Sequence, residues 1–244
     1  MPLSVDNQPR IALVTGGAKR VGRAIVERLV AAGYAVGFTY NGSAAEAEEI
    51  TQRHPNTFAT RADFSDPNAS IAVAQWTKST FSRLDVLVNC ASMYVPDDGA
   101  IGGSPALQQK LFNINAVAPA TLMAELGDAL KASNGAIVNF VDLLAERPMP
   151  GYSAYCASKA ALQSLTLSYA RKLAPHVRVN GIAPGVIAWP DDMPVGAREQ
   201  YLKRVPLQRS GTPQEAADLV FYLATAAPYI TGQIIRLDGG RSIA

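Results

Sequence analysis

The sequence predicts a doubly wound α/β fold, a single sheet of about seven parallel strands with helices on both faces. Three observations predict it. Short apolar runs alternate with helical patterns along the whole chain. Those runs are continuous rather than alternating, the mark of parallel strands covered on both faces. A Gly-rich turn joins the first run to the first helical pattern.

Ile11–Thr15 reads as the first strand, followed by a helix over Arg20–Ala32 with Gly33 as a left-handed stop. Ala35–Tyr40 is a second strand, Ala44–Arg53 a helix, and Thr57–Ala62 a third strand. Asp66 and Pro67 have the form of an N-cap and a first helical residue, opening a helix to about Thr80. Asp85–Asn89 is a fourth strand, and one long helical segment covers roughly 106–132. Ala136–Val141 is a fifth strand, Ser153–Leu173 a helix, and Val177–Ala183 a sixth strand. Thr212-Pro213-Gln214-Glu215 has capping-box form and starts a helix to about Ala224, and Gln233–Leu237 closes the sheet. Right-handed crossovers are expected throughout. The chain reads as one unit over 1–244. Its long irregular stretch, 184–212, follows a strand's carboxyl end and is expected to be a substrate loop or lid.

Composition narrows the function. Hydrophobic residues make up 48 % of 244, enough for a sizeable core and too many for a disordered chain. The net charge of +2 gives no electrostatic reason to invoke nucleic acid or an anionic membrane. The opening MPLSVDNQPR lacks the apolar stretch of a secretory signal, and no run approaches the roughly 18 apolar residues of a membrane span. A cytoplasmic protein is expected. Cys90 and Cys156 do not make a disulfide framework and read as reduced thiols. His54 and His176 have no second ligand spaced to help them, so no metal is expected.

The turn Thr15–Gly22 sits between the first strand and first helix, where glycines let a pyrophosphate approach a helix N-terminus. An acid at the end of the second strand would accept from the 2′-hydroxyl of NAD. That end reads Tyr40-Asn41-Gly42-Ser43, and the first acid, Glu46, is already in the next helix. Lys19 and Arg20 supply positive charge and Ser43 a hydrogen-bond donor, so NADPH is expected. Both cations could instead be solvated surface charges. At the other end of the site, Tyr155 and Lys159 lie four apart on one helix face. An ammonium beside a phenol lowers the phenol's pKa, suiting it to proton donation near neutral pH.

These motifs, with Asn89-Cys90-Ala91-Ser92, Asn115, Pro184-Gly185 and Ile230-Thr231-Gly232…Asp238-Gly239-Gly240, resemble the short-chain dehydrogenase/reductase family along essentially the whole chain. The resemblance implies a Rossmann-like fold that binds a nicotinamide cofactor. Gly16, Lys19, Arg20 and Val21 would then form the pyrophosphate turn. Asp63 and Phe64 would line the adenine, and Asn89, Ala91 and Ser92 would pass beside the ribose. Pro184 and Gly185 would border the nicotinamide. Tyr155 would be the proton donor, Lys159 the ribose anchor, and Asn115 a support for Lys159 through water.

Two departures from the general family pattern narrow the resemblance. Arg20 stands where most members have a third glycine, and Asp142 where most have a serine thirteen residues before the tyrosine. A carboxylate repels a carbonyl oxygen gaining negative charge, which argues against simple ketone reduction. It suits aminated heterocycles that present N–H donors. Both departures resemble the pteridine reductases and the related dihydromonapterin and dihydrofolate reductases. So do Asp191-Asp192-Met193-Pro194, Arg204-Val205-Pro206-Leu207 and Tyr229-Ile230-Thr231-Gly232. That resemblance implies Ser92 and Tyr94 placing a pterin ring, with Arg20, Asp142, Tyr155 and Trp189 around it. In a purely structural role Asp142 would cap the following loop or pair with Arg147, Tyr94 would be an ordinary loop residue, and Trp189 would pack the lid. The residues thus lead to an NADPH-dependent pteridine reductase-like enzyme. A carbonyl reductase and a non-catalytic NADPH sensor remain alternatives. Apolar circumference on the segments 115–130 and 155–173 adds an expected homotetramer.

Overall fold

A computed structural model describes residues 9–99, 102–189 and 193–244. Seven strands form one parallel sheet in the order β3-β2-β1-β4-β5-β6-β7. They are β1 Ile11–Thr15, β2 Ala35–Tyr40, β3 Thr57–Arg61, β4 Val86–Asn89, β5 Ala136–Phe140, β6 Arg178–Pro184 and β7 Ile234–Leu237. The order reverses between β1 and β4, where Thr15 stands beside Asn89. A crevice opens at such a switch point beyond the strands' carboxyl ends.

Alternation along β1 explains its continuous apolar character. Ala12 and Val14 face a layer built by α1 (Arg20–Ala31), α2 (Ala44–Arg53) and α9 (Pro213–Thr225), through Ile25, Leu29, Ile50, Val220 and Leu223. Ile11 and Leu13 face the opposite layer. It is built by α3 (Ala69–Thr80), α5 (Ala118–Glu125), α6 (Gly127–Ala132) and α7 (Ser153–Leu173), through Val73, Leu122, Met123, Leu130 and Leu173. The capping box at Thr212 and Glu215 forms as the sequence predicts.

Four expectations need correction. Asp66 does not open α3: its carboxylate accepts from Asn68 N–H at 2.9 Å in a turn, and the helix begins at Ala69. Asp85 lies outside β4, because its carboxylate accepts from Ile11 N–H at 2.8 Å and bridges the strand starts. The segment 106–132 is not one helix. It comprises α4 (Pro105–Phe112), a π-helical turn Asn113–Val117, α5 and α6. The irregular stretch 184–212 contains a helix, α8 (Val195–Leu202). Asp191 and Asp192 of that stretch lie outside the described residues.

A buried polar chain ties strand ends to a helix. Asn89 Nδ2 donates to Asn139 Oδ1 at 2.8 Å, and Asn139 Nδ2 to Thr166 Oγ1 at 2.9 Å, linking β4, β5 and α7. The chain fixes the strand ends against the helix, and it leaves Asn89 Oδ1 buried without a hydrogen-bond partner among the described residues.

Candidate active site

The Gly-rich turn requires its glycines. Gly16 has φ +68°, and a Cβ there would stand 3.0 Å from Ala91 Cα. A Cβ on Gly22 would fall 2.0 Å from the Gly16 carbonyl oxygen, so only glycine lets α1 start against the turn. Thr15 Oγ1 accepts from both Cys90 and Ala91 N–H at 3.0 Å, holding the β4 loop across the switch point. The absence of a side chain at Gly16 and Gly22 thus lets the turn pack against Ala91 and against the start of α1, the close backbone approach that a pyrophosphate at a helix N-terminus requires.

Arg20 adopts φ +50°, a conformation that disfavours side chains other than glycine's. This is the position where the family pattern has glycine, and the backbone keeps the glycine-like shape. The Arg20 guanidinium donates to Ala188 O at 3.3 Å and Trp189 O at 2.9 Å, fastening the turn to the start of the loop after β6. Val21 follows it into α1.

Lys19 differs from expectation. Its ammonium pairs with Glu46 at 2.8 Å, so the acid that the sequence places safely inside α2 reaches back to the turn. Ser43 occupies the α2 N-cap position without a side-chain cap bond. Register sets Tyr40 beside Arg61, whose Nε donates to Asn41 O at 3.2 Å. A guanidinium that no local motif marks thus lies over the end of β2. Only the parallel pairing of β2 with β3 could have revealed it.

Asp63 is exposed, and its Oδ1 accepts from Ser65 N–H at 3.0 Å and Ser65 O–H at 2.7 Å. Those bonds hold its carboxyl below the usual range. Two residues expected at the cofactor have buried side chains. Phe64 is buried in the core beside Val73 and Leu122. The Asn89 side chain is buried in its bond to Asn139. Pro184 ends β6, and Gly185 N–H donates to Leu237 O at 2.9 Å. A Cβ on Gly185 would stand 3.1 Å from Asp238 Cα.

The side chains expected to be catalytic are close-knit. Tyr155 O–H donates to Asp142 Oδ2 at 2.6 Å, while Asp142 Oδ1 accepts from Leu144 N–H at 2.8 Å. Asp142 is therefore both loop cap and partner of the phenol. Lys159 is buried, donates to Phe140 O at 2.7 Å, and sits 5.9 Å from the Tyr155 ring centroid. Burial lowers its pKa to about 8, with Asp142 acting the other way. The expected lowering of Tyr155 does not occur. Burial first, and the facing Asp142 carboxylate second, push its phenol well above the ordinary value. A carboxylate in hydrogen-bond contact outweighs an ammonium that does not touch the hydroxyl.

Asn115 lies in the π-helical turn, fully buried. Its Oδ1 accepts from Ser92 O–H at 3.1 Å and Met93 N–H at 3.0 Å. Its Nδ2 donates to Met93 O and Ser158 Oγ, both at 3.0 Å. Asn115 thus pins the loop of Ser92 and Met93 to α7 one residue before Lys159. A π turn at such a point is a recurrent feature of functional sites. Tyr94, half exposed, stacks on Tyr152 with centroids 4.8 Å apart and meets Tyr155 edge-on at 4.8 Å. Trp189 packs edge-on against Tyr201 of α8 at 5.4 Å.

The comparisons agree with this geometry. The family model described as enoyl-(acyl carrier protein) reductase matches residues 16–242. Pteridine reductase 1 of Leishmania tarentolae is 36 % identical, with 96 % of each chain covered. Dihydromonapterin reductase of Klebsiella pneumoniae is 30 % identical over 98 % of this chain and 99 % of that protein. The 3-oxoacyl-(acyl-carrier-protein) reductase FabG of Staphylococcus aureus is 34 % identical over 94 % of this chain and 96 % of its own. With a seven-stranded parallel sheet, a glycine turn at the switch point and Tyr155 and Lys159 on one helix face, the chain belongs to the short-chain dehydrogenase/reductase family and is an oxidoreductase of that family.

Proposed function

We propose that the protein is an NADPH-dependent reductase of C=N bonds in dihydropterin- or folate-type rings. The observation that carries this reading is the 2.6 Å hydrogen bond from Tyr155 to Asp142. A ketone offers that carboxylate nothing to accept, whereas an aminated ring offers N–H donors. Gly16, Arg20, Val21, Ala91, Ser92 and Gly185 would hold the cofactor, with Lys159 at its nicotinamide ribose; bound there, it supplies the hydride. Tyr155 donates the proton to ring nitrogen; its raised pKa keeps it protonated at rest but makes that proton costlier to release, so the charge left behind needs an opposing cation. Asp142 aims the phenol and accepts from the ring. Lys159 lies near enough to offset charge left on the phenol. Ser92 and Tyr94 place the ring, and Asn115 holds their loop against α7.

The preference for NADPH is supported by the end of β2, which carries no acid but lies under the Arg61 guanidinium. Since Glu46 occupies Lys19, we assign recognition of the 2′-phosphate chiefly to Arg61 and Ser43. A homotetramer is supported by exposed Val117 and Leu167 on the π turn and α7; a monomeric mass in solution refutes it. Turnover of dihydrobiopterin, dihydromonapterin and dihydrofolate, followed by NADPH oxidation with NADH in parallel, tests the main reading. Activity on any of them with NADPH preferred supports it. No activity on all three, with NADPH still bound, refutes the ring substrate. The second reading, carbonyl reduction, is favoured by the likeness to 3-oxoacyl-(acyl-carrier-protein) reductase and is tested on ketones.

A further inference from the structure

The catalytic helix α7 begins without a cap of its own. Tyr152 holds the N-cap position and makes no side-chain cap bond. A helix of 21 residues leaves its first N–H groups needing acceptors, and a carboxylate suits them best. The acceptor comes from 56 residues upstream. Asp97 Oδ2 accepts from Ser153 N–H at 3.1 Å, and Asp97 Oδ1 lies 3.4 Å from Ala154 N–H. Asp97 N–H in turn donates to Gly151 O at 2.8 Å. Gly103, at φ +79°, covers this contact: a Cβ there would stand 3.5 Å from Asp97 Oδ1 and 3.7 Å from Ala154 Cβ.

The next residue fastens a second helix. Asp98 accepts from both N–H and O–H of Ser104, at 2.5 Å each, and Ser104 caps α4. Leu111 of α4 is buried against Ala154, Tyr155 and Cys156. Asp97 and Asp98 therefore join the loop that carries Ser92 and Tyr94 to the starts of both helices that flank Tyr155.

We propose that Asp97 is a positioning residue: it clamps the first turn of α7 to the ring-binding loop, so that Tyr94 and Tyr155 keep their edge-to-face spacing. This rests on the reading of Tyr155 as proton donor and Tyr94 as ring support. Proton transfer is sensitive to displacements of this kind, and a misplacement of about 1 Å can cost a hundred-fold in rate.

The test uses Asp97→Ala and Asp97→Asn in the full chain. For each, kcat, KM, NADPH affinity and amide exchange of residues 153–156 are measured. Asp97→Ala should lower kcat roughly ten- to a hundred-fold, with NADPH affinity within about two-fold of wild type and faster exchange at Ser153 and Ala154. Asp97→Asn keeps one acceptor oxygen and should restore a large part of kcat. Wild-type kcat in Asp97→Ala despite faster exchange would make Asp97 a stability cap alone and overturn the proposal. Unchanged exchange would overturn it too. If Asp97→Ala does not fold, Asp97→Ser, whose hydroxyl is too short to serve both N–H groups, takes its place: lowered kcat with faster exchange supports positioning, and wild-type kcat with faster exchange excludes it. If wild type fails on dihydropterins, the substrate reading has failed separately. The variants are then compared on a β-ketoester, where Tyr155 is again the donor.

Discussion

Tyr155 and Asp142 share a hydrogen bond of 2.6 Å between α7 and the residue that caps the turn after β5. One oxygen of Asp142 serves the backbone of Leu144 and the other the phenol, so the carboxylate cannot turn away without uncapping its own loop. Tyr155→Phe should lower kcat roughly 10²–10⁴-fold while NADPH affinity, measured by fluorescence, stays near wild type. Loss of both would mean that the hydroxyl is structural. Asp142→Ser should lower turnover on dihydropterins; a gain on ketones with no loss on pterins would exclude the ring-binding role of Asp142.

Lys159 gives a pH signature. Its folded pKa of about 8 lies below the ordinary lysine value because the ammonium is buried. The ammonium opposite Tyr155 is therefore lost as pH rises through about 8, and kcat/KM should fall on a basic limb centred there. Stability moves the other way. Between about pH 8 and the ordinary value of about 10.5 the unfolded chain binds a proton that the folded chain has released, so stability rises with pH across that window. Cys90, which burial pushes up to about 12, opposes this above its own ordinary value near 9. The difference between wild type and Lys159→Met in urea denaturation at several pH values isolates the lysine. A difference that stays flat from pH 7 to 10 would refute the burial account.

Arg61 is expected to set the cofactor preference. Arg61→Gln should raise the KM for NADPH about ten-fold or more and leave NADH nearly unchanged, since an arginine–phosphate contact is charge-assisted. Lys19→Ala should do less, because Glu46 already neutralises that ammonium. Glu46→Gln should improve NADPH affinity by releasing Lys19. Steady-state kinetics with both cofactors checks all three. Equal losses for NADPH and NADH in Arg61→Gln would remove Arg61 from phosphate recognition.

Arg20 combines an unfavourable backbone with a useful side chain. At an ordinary helical position alanine is more stable than glycine by about 1 kcal/mol. At φ +50° the order should invert, with Arg20→Gly more stable than Arg20→Ala by about 1 kcal/mol in chemical denaturation. Both lose the bonds to Ala188 O and Trp189 O, so both should free the loop after β6 and raise substrate KM. An alanine variant more stable than the glycine variant would show that Arg20 is unstrained.

Much of this protein is legible in its sequence because local patterns dominate there. The strand β1, the helices α2 and α7 and the capping box at Thr212 follow from apolar periodicity and cap chemistry, and the structure reproduces them. The spacing of Tyr155 and Lys159 on one face of α7 is likewise a property of helical geometry. The π turn at Asn113–Val117 was illegible, since its residues read as ordinary helix and only the bonds of Asn115 to Ser92, Met93 and Ser158 give it a purpose.

Sequence alone determined the fold class, the glycine turn and the placing of Tyr155 and Lys159 one turn apart on a helix, because each depends on neighbours within a few residues. Tertiary structure decided the charges. It turned Glu46 onto Lys19, set Arg61 over the end of β2, brought Asp97 to the start of α7 and placed Asp142 against Tyr155, reversing the expected shift of the phenol. The physical reason is that apolar periodicity is read along one element, whereas hydrogen bonds and burial act between groups that the chain separates by 13 to 56 residues and the fold brings to 2.6–3.1 Å.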